Sequence, residues 1–387
     1  MSRFSPVFDA FQAMIGAGEI PGARIAIHHA GTDHIWSDGV RTPATGATLG
    51  SDTLFRLASL TKIVSSVVAL RFVERGALEI DTPVHHYLPG LAGMQGATTG
   101  PGADGPKRAD PVRPMTVRDL FRHTSGLTYG QFSDAPVQLA YQDVGMADHD
   151  QTRDDLLAKL ETLPLTADPG TQFGYGMSTD VLGWLLEEIT GEDLEAICRR
   201  ELFDLVGMRD AAFRPADVSR IAEPMPDPVT GEIPVLGSRN FYEAGWLSAG
   251  HGLFASGPDM DRFAALLRGH GSLDGHRILR PDTFAEMTRN QLPEGVRFAP
   301  DVALLGSMAP TPERGQGFGL GVLVRLEPGT PNYPASVGEF GWNGLSGTCL
   351  WIDPEHDLSV CLLMQSPVNR DTIRQRLKFM VHSVLAA

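Results

Sequence analysis

Strand-forming runs stand near the two ends of this chain, and a long helical stretch separates them. Ala23–His29 and His34–Ser37 come early, joined by a turn at Gly31-Thr32-Asp33. Phe318–Leu326, Gly347–Ile352 and Leu358–Met364 come late, the last two joined through Asp353–Asp357. Between them the apolar residues repeat at helical spacing. Ser59–Arg75 stops at Gly76, Thr152–Leu163 opens on the capping pair Thr152 and Asp155, Ser178–Thr190 stops at Gly191, and Asp193–Val206 stops at Gly207. Further helices are expected at 5–17, Thr116–Phe121, Met260–Leu267 and Arg370–Leu385, and a long surface loop at Met94–Arg113. This order predicts an α+β fold: one antiparallel sheet built from both ends, flanked by helices, with an inserted helical lobe. The expected division is an α/β lobe from residues 1–62 and about 225–387, and a helical lobe from about 63–224.

Composition narrows the function classes. The 387 residues carry a net charge of −15 and no block of Lys or Arg, so nucleic-acid binding is not expected. No run of 18 apolar residues exists, and the first residues lack a basic region followed by an apolar run. Neither a membrane span nor a secretory signal is therefore expected. Cys198, Cys349 and Cys361 are few and odd in number, which fits free thiols in a reducing cytoplasm.

Only four of the 32 basic residues are Lys. One of them completes the single S-x-x-K of the chain, Ser59-Leu60-Thr61-Lys62, at the start of an apolar helix. Residues three apart on a helix share a face, so Lys62 falls beside Ser59. A serine hydroxyl needs a base to become a nucleophile, and a desolvated Lys gives up its proton more easily than an exposed one. The same four residues also suit a capping Ser with a snorkelling Lys. Tyr175 lies in the turn-rich Pro169–Ser178, just before a helix, where a phenol can carry a proton or simply fill the core. Gly338–Gly347 is a glycine-rich approach to a strand; its backbone could lie against a ligand or only turn the chain.

Taken together, Ser59-x-x-Lys62, Tyr175 about 115 residues later and Trp342-Asn343-Gly344 near the end resemble the serine β-lactamase and penicillin-binding-protein superfamily. More narrowly, the chain resembles its class C β-lactamase-like carboxylesterases, the family VIII esterases. Met115–Leu127, Asp180–Gly183, Ser248–Ser256 and Gly317–Val322 are similar to segments typical of these proteins, so the resemblance covers roughly residues 5–385. It implies a serine hydrolase of short-chain carboxylic esters. Ser59 would be the nucleophile, and Lys62 with Tyr175 the base and later acid. The backbone N–H groups of Ser59 and Leu345 would form the oxyanion hole. Trp342, Asn343, Gly344 and Met177 would line the substrate.

Two departures matter. The lactamases have Tyr-x-Asn where this chain has Tyr175-Gly176-Met177, and Lys-Thr-Gly where it has Trp342-Asn343-Gly344, close to the Trp-Gly-Gly of the esterases. Both changes remove polar recognition and favour neutral esters over anionic lactams. A β-lactamase or D-amino-peptidase, an acyltransferase and a non-catalytic ligand-binding relative are the alternatives. No G-x-S-x-G or H-E-x-x-H occurs, and the pairs His28-His29 and His85-His86 are poorly spaced for a metal. Neither metal nor cofactor is expected. The expected partner is a small ester, with no nucleic acid or membrane; the sequence leaves the oligomeric state open.

Overall fold

A computed structural model describes residues 2–102, 105–227, 230–232, 241–331 and 333–387. Sixteen strands are described: β1 Gly22–His29, β2 Thr32–Thr42, β3 Ala47–Thr48, β4 Leu54–Arg56, β5 Gly96–Gly102, β6 Gly105–Ala109, β7 Gln172–Phe173, β8 Phe254–Ser256, β9 Ser272–Leu273, β10 His276–Arg277, β11 Arg297–Phe298, β12 Gln316–Phe318, β13 Leu323–Arg325, β14 Phe340–Asn343, β15 Cys349–Asp353 and β16 Leu358–Met364. Eight of them form the main sheet, in the order β12-β13-β14-β15-β16-β1-β2-β3. Its pairings are antiparallel, and the first strand joins the last: Ile25 faces Leu362 and Ile27 faces Val360. The expected α+β architecture, a sheet drawn from both ends of the chain, is the one found.

Both faces of the sheet are covered, which explains why β16 reads Leu-Ser-Val-Cys-Leu-Leu-Met without alternation. On one face Ile25, Ile27, Val360 and Leu362 pack against Phe4, just ahead of the Ser5–Gly16 helix, Val7, Phe8 and Phe11 within it, and Ile373, Leu377 and Val381 of the Arg370–Ala386 helix. On the other, Cys361, Leu363, Leu350 and Trp342 join a large core that runs through the Thr61–Glu74 and Ser178–Thr190 helices. The Thr61–Glu74 helix is buried on nearly every side from Thr61 to Leu70, so it crosses the core rather than lying on it.

Several local expectations need correction. The β1–β2 turn is two residues, Ala30 and Gly31, both with positive φ; Thr32 and Asp33 already pair in β2. Such a tight turn suits the right-handed twist of a hairpin. Phe318–Leu326 is not one strand. It is the hairpin β12–β13, broken where Gly321 takes φ 86° and packs on Ser66. Met94–Arg113 is not all loop, because β5 and β6 pair within it through Gly96–Ala109 and Ala97–Arg108; residues 103 and 104 lie outside the described residues. The Asp193–Val206 helix is interrupted by a π-helical turn at Arg199–Phe203. Sequence reading also passed over the Pro136–Asp143 and Pro281–Thr288 helices.

Candidate active site

Ser59 follows β4 in a tight turn. Ala58 there has φ 49°, a left-handed conformation unusual for a residue with a side chain. Surrounding bonds hold the turn in place. Leu57 N–H donates to Leu253 O at 3.0 Å, and Thr61 Oγ1 donates to Ala58 O at 2.7 Å. From the sheet side, Ser346 Oγ donates to Arg56 O at 2.7 Å and Thr348 Oγ1 to Leu57 O at 2.9 Å. The β14–β15 turn, which carries Gly344 and Leu345, is thereby tied to the residues just before Ser59. Gly344 has to be glycine, since a Cβ there would meet Leu57 O and Thr348 Oγ1, each at 2.2 Å. Ser59 itself is half-buried.

Lys62, in the first turn of the helix, is 1% exposed. Its Nζ donates to Gly250 O at 2.8 Å, Tyr129 OH at 2.9 Å and Ser59 Oγ at 3.5 Å, so the ammonium's three donors have three acceptors. The nitrogen also lies 4.7 Å from the Tyr175 ring centroid and 5.3 Å from that of Tyr129. These distances suit cation–π attraction.

The structure thus brings Ser59, Lys62 and Tyr175 together, but the phenol to which Lys62 donates is Tyr129. The Tyr175 hydroxyl accepts instead from Trp342 Nε1 at 3.3 Å, and the two rings lie 5.5 Å apart. Trp342 is held edge-on to Phe318 and is 3% exposed. Met177 is equally buried, at the start of the Ser178–Thr190 helix. Gly176 beside it allows a close passage, since a Cβ would lie 2.4 Å from Leu127 O. Asn343 is half-buried, and the Leu345 side chain is exposed. Gly344 N–H donates to Thr348 O at 2.8 Å, and Gly344 O accepts from Arg374.

Three residues at the centre received no role in the sequence reading. Tyr129 stands two residues beyond the Met115–Leu127 segment and donates to Asp180 Oδ2 at 3.2 Å. Asp180, fully buried, also accepts from Gly250 N–H at 3.0 Å and from Ser248 Oγ. Ser248 Oγ lies 2.8 Å from His251 Nδ1. Burial and the Asp180 charge push the Tyr129 hydroxyl well above the usual phenol range, so it keeps its proton. The third is His123, also fully buried, with φ 55° and its ring centroid 4.9 Å from that of Tyr175. Burial, with the Lys62 charge adding to it, pushes this imidazole well below its ordinary value, so it is neutral. The available sequence signal was a charged residue, Asp180, in the first turn of a helix and directly before the uncharged run Val181–Leu186.

Away from this site, Glu339, Asp353 and His382 place ligand atoms within 4.8 Å of one another. The Lys378 ammonium already pairs with Glu339 there. The pairs His28-His29 and His85-His86 are not part of that group.

Comparison with known proteins bears on the family and the fold. A family model described as Beta-lactamase matches residues 7–380. Esterase EstB of Burkholderia gladioli is 30% identical, over 94% of this chain and 89% of its own length. Lovastatin esterase of Penicillium rubens is 29% identical over 82% of each. Among solved structures, EstCE1, described as a hydrolase with promiscuous acyltransferase activity, superposes with a TM-score of 0.79 at 26% identity, covering 100% of this chain and 99% of the other.

Proposed function

The chain belongs to the beta-lactamase family, and on that footing we propose that it is a serine carboxylesterase acting on short-chain neutral esters through an acyl-enzyme on Ser59. The observation that carries this reading is the Lys62 ammonium, 3.5 Å from Ser59 Oγ and almost wholly buried among Tyr129 and Tyr175. With that nitrogen unprotonated, the serine has a base at hand and an apolar surround. Ser59 Oγ attacks the ester carbonyl, and its proton passes to the Lys62–Tyr175 pair and then to the departing alcohol. The backbone N–H groups of Ser59 and Leu345 face the developing oxyanion. Water repeats the sequence and releases the acid. Where an alcohol replaces water the product is a new ester; EstCE1 is described as having promiscuous acyltransferase activity.

The substrate class follows from Met177 and Trp342. Met177 has no polar group to pair a lactam's carboxylate or amide side chain, and the Trp342 N–H is already donated to Tyr175, whereas the indole ring offers an apolar wall. The names of EstB and lovastatin esterase, both esterases, point the same way. Among the described residues no helix is long and apolar enough to cross a membrane. The three cysteines are buried and free, which supports a reducing, cytoplasmic setting. The deciding experiment is a panel of p-nitrophenyl esters of increasing acyl length beside a chromogenic cephalosporin, with Ser59→Ala as control. Turnover of short esters that vanishes in Ser59→Ala supports the proposal. A cephalosporin cleaved as efficiently as the butyrate ester overturns it in favour of a lactamase.

A further inference from the structure

Lys62 and Asp180 do not touch, yet two short bridges connect them. Through the first, Gly250 O accepts from Lys62 Nζ at 2.8 Å while Gly250 N–H donates to Asp180 Oδ1 at 3.0 Å. Through the second, the Tyr129 hydroxyl accepts from Lys62 Nζ at 2.9 Å and donates to Asp180 Oδ2 at 3.2 Å. Every dipole in both bridges points the same way, from ammonium to carboxylate. Position 250 has room only for glycine, because a Cβ there would lie 2.6 Å from Asp180 Oδ2 and 2.8 Å from Tyr129 OH. The donors that reach the carboxylate, Ser248 Oγ, Gly250 N–H and Tyr129 OH, are all neutral, and both Asp180 and Lys62 are buried. A buried carboxylate needs a compensating positive charge.

We infer that Asp180 is a positioning residue for the reaction proposed above: acting through Gly250 and Tyr129, it aims Lys62 Nζ at Ser59 and stabilises positive charge on that nitrogen. The inference rests on Ser59 being the nucleophile. When Ser59 Oγ attacks, its proton ends on the departing alkoxide; Asp180 neither gains nor loses one. Its part is to make the ammonium form of Lys62 cheaper at the moment the serine becomes nucleophilic. The other titratable groups that face Lys62 are Tyr129, held protonated, Tyr175, beneath the ammonium, and His123, held neutral. Beyond Asp180 stands His251, joined to it through Ser248.

The test is Asp180→Asn, which keeps the shape and removes the charge. The primary readout is the rate at which a fluorophosphonate labels Ser59, measured from about pH 5 to 10. That rate reports activation of the serine whatever its natural substrate, so a chain that labels but hydrolyses no ester refutes the carboxylesterase reading and leaves this test intact. The expected result is a labelling rate at least ~10-fold lower, with one limb of the profile moved to lower pH by roughly half a unit or more, because the ammonium has lost its counter-charge. If the acidic limb moves, Lys62 is the base; if the alkaline limb moves, Lys62 works as a fixed ammonium. Tyr129→Phe removes one bridge and retains the carboxylate. It should move the same limb in the same direction by less, and it serves as the test should Asp180→Asn not fold. For ester hydrolysis, kcat per labelled site should fall while KM stays within about threefold. A labelling rate and both limbs at their wild-type positions, or a loss confined to the fraction of protein that labels, overturns the inference.

Discussion

Replacing Thr348 by valine removes one hydroxyl and almost no volume. The residue is fully buried, and its Oγ1 donates to Leu57 O at 2.9 Å. Leu57 O retains one other donor, the Leu60 N–H at 3.3 Å, so it is not left bare. The loss is therefore that of one ordinary hydrogen bond, about 1 kcal/mol, rather than the larger penalty of an abandoned carbonyl. Ser346→Ala is a parallel case, since Arg56 O retains Gln365 Nε2 at 3.3 Å. Together the two substitutions sever the side-chain hydroxyl bonds between the β14–β15 turn and the residues preceding Ser59, at a cost of about 2 kcal/mol. Urea unfolding measures that cost. The functional effect should exceed it. Leu345, the second proposed oxyanion donor, rides on this turn, and losing one such donor outright costs about 10²–10³ in kcat. A turn that has merely drifted should lose at least ~10-fold in the double variant, with KM little changed. If the double variant is destabilised as expected but keeps its kcat, the turn does not position the oxyanion site and that part of the mechanism is wrong.

The remaining expectations concern the base, the substrate and the acid limit of the fold. Lys62→Arg keeps a charge that cannot be released and should lose at least ~10² in kcat, and Tyr175→Phe a comparable amount; survival of activity in Lys62→Arg would make Lys62 structural. Wild-type kcat/KM for p-nitrophenyl butyrate should exceed that for a chromogenic cephalosporin by at least ~10², and Trp342→Lys should narrow the gap by giving the lactam carboxylate a partner. An unchanged ratio in Trp342→Lys would show that position 342 does not set the preference. Burial alone would raise Asp119, but the Arg113 guanidinium, the Thr116 N–H and the Thr124 hydroxyl overrule it and hold the carboxyl down at about 2. A depressed carboxyl stabilises the fold above its unfolded value, near 4, and that stability drains away as pH falls toward 2; it amounts to roughly 2 kcal/mol. Asp119→Asn should unfold more easily at pH 7 and show a flatter loss of stability between those limits in acid titration.

Much of this architecture is written in local pattern. Leu358–Met364 is apolar because both faces of β16 are covered, and the caps at Thr116, Thr152 and Gly191 stand where their residue types predict. The S-x-x-K spacing alone placed Lys62 beside Ser59. What escaped depends on contacts between distant segments. The break between β12 and β13 follows from Gly321 meeting Ser66, some 255 residues away in sequence. Tyr129 becomes a partner of Lys62 only because Asp180 and Gly250, from two further segments, converge on the same hydroxyl and ammonium. No window of sequence holds all four. Tyr175 lies inside a recognisable segment and Tyr129 two residues outside one, with no helix start of its own to mark it.

The pairing of β1 with β16 has a consequence for the order of assembly. Ile25 meets Leu362 across more than 330 residues of intervening chain. A ribosome delivers Ser59 and Lys62 early, while the strand that completes the centre of the sheet, and Trp342 two strands away, emerge near the end. Contacts of such span form late and slowly, after the cost of closing the loop has been met. The early strands must therefore wait as an open edge, which favours holding by a chaperone during synthesis. It also means that a nascent chain carries Ser59 before the turn that ties down the residues preceding it has emerged. On the proposed mechanism, fragments that lack these strands should hydrolyse no ester, which an activity assay on a truncated chain checks.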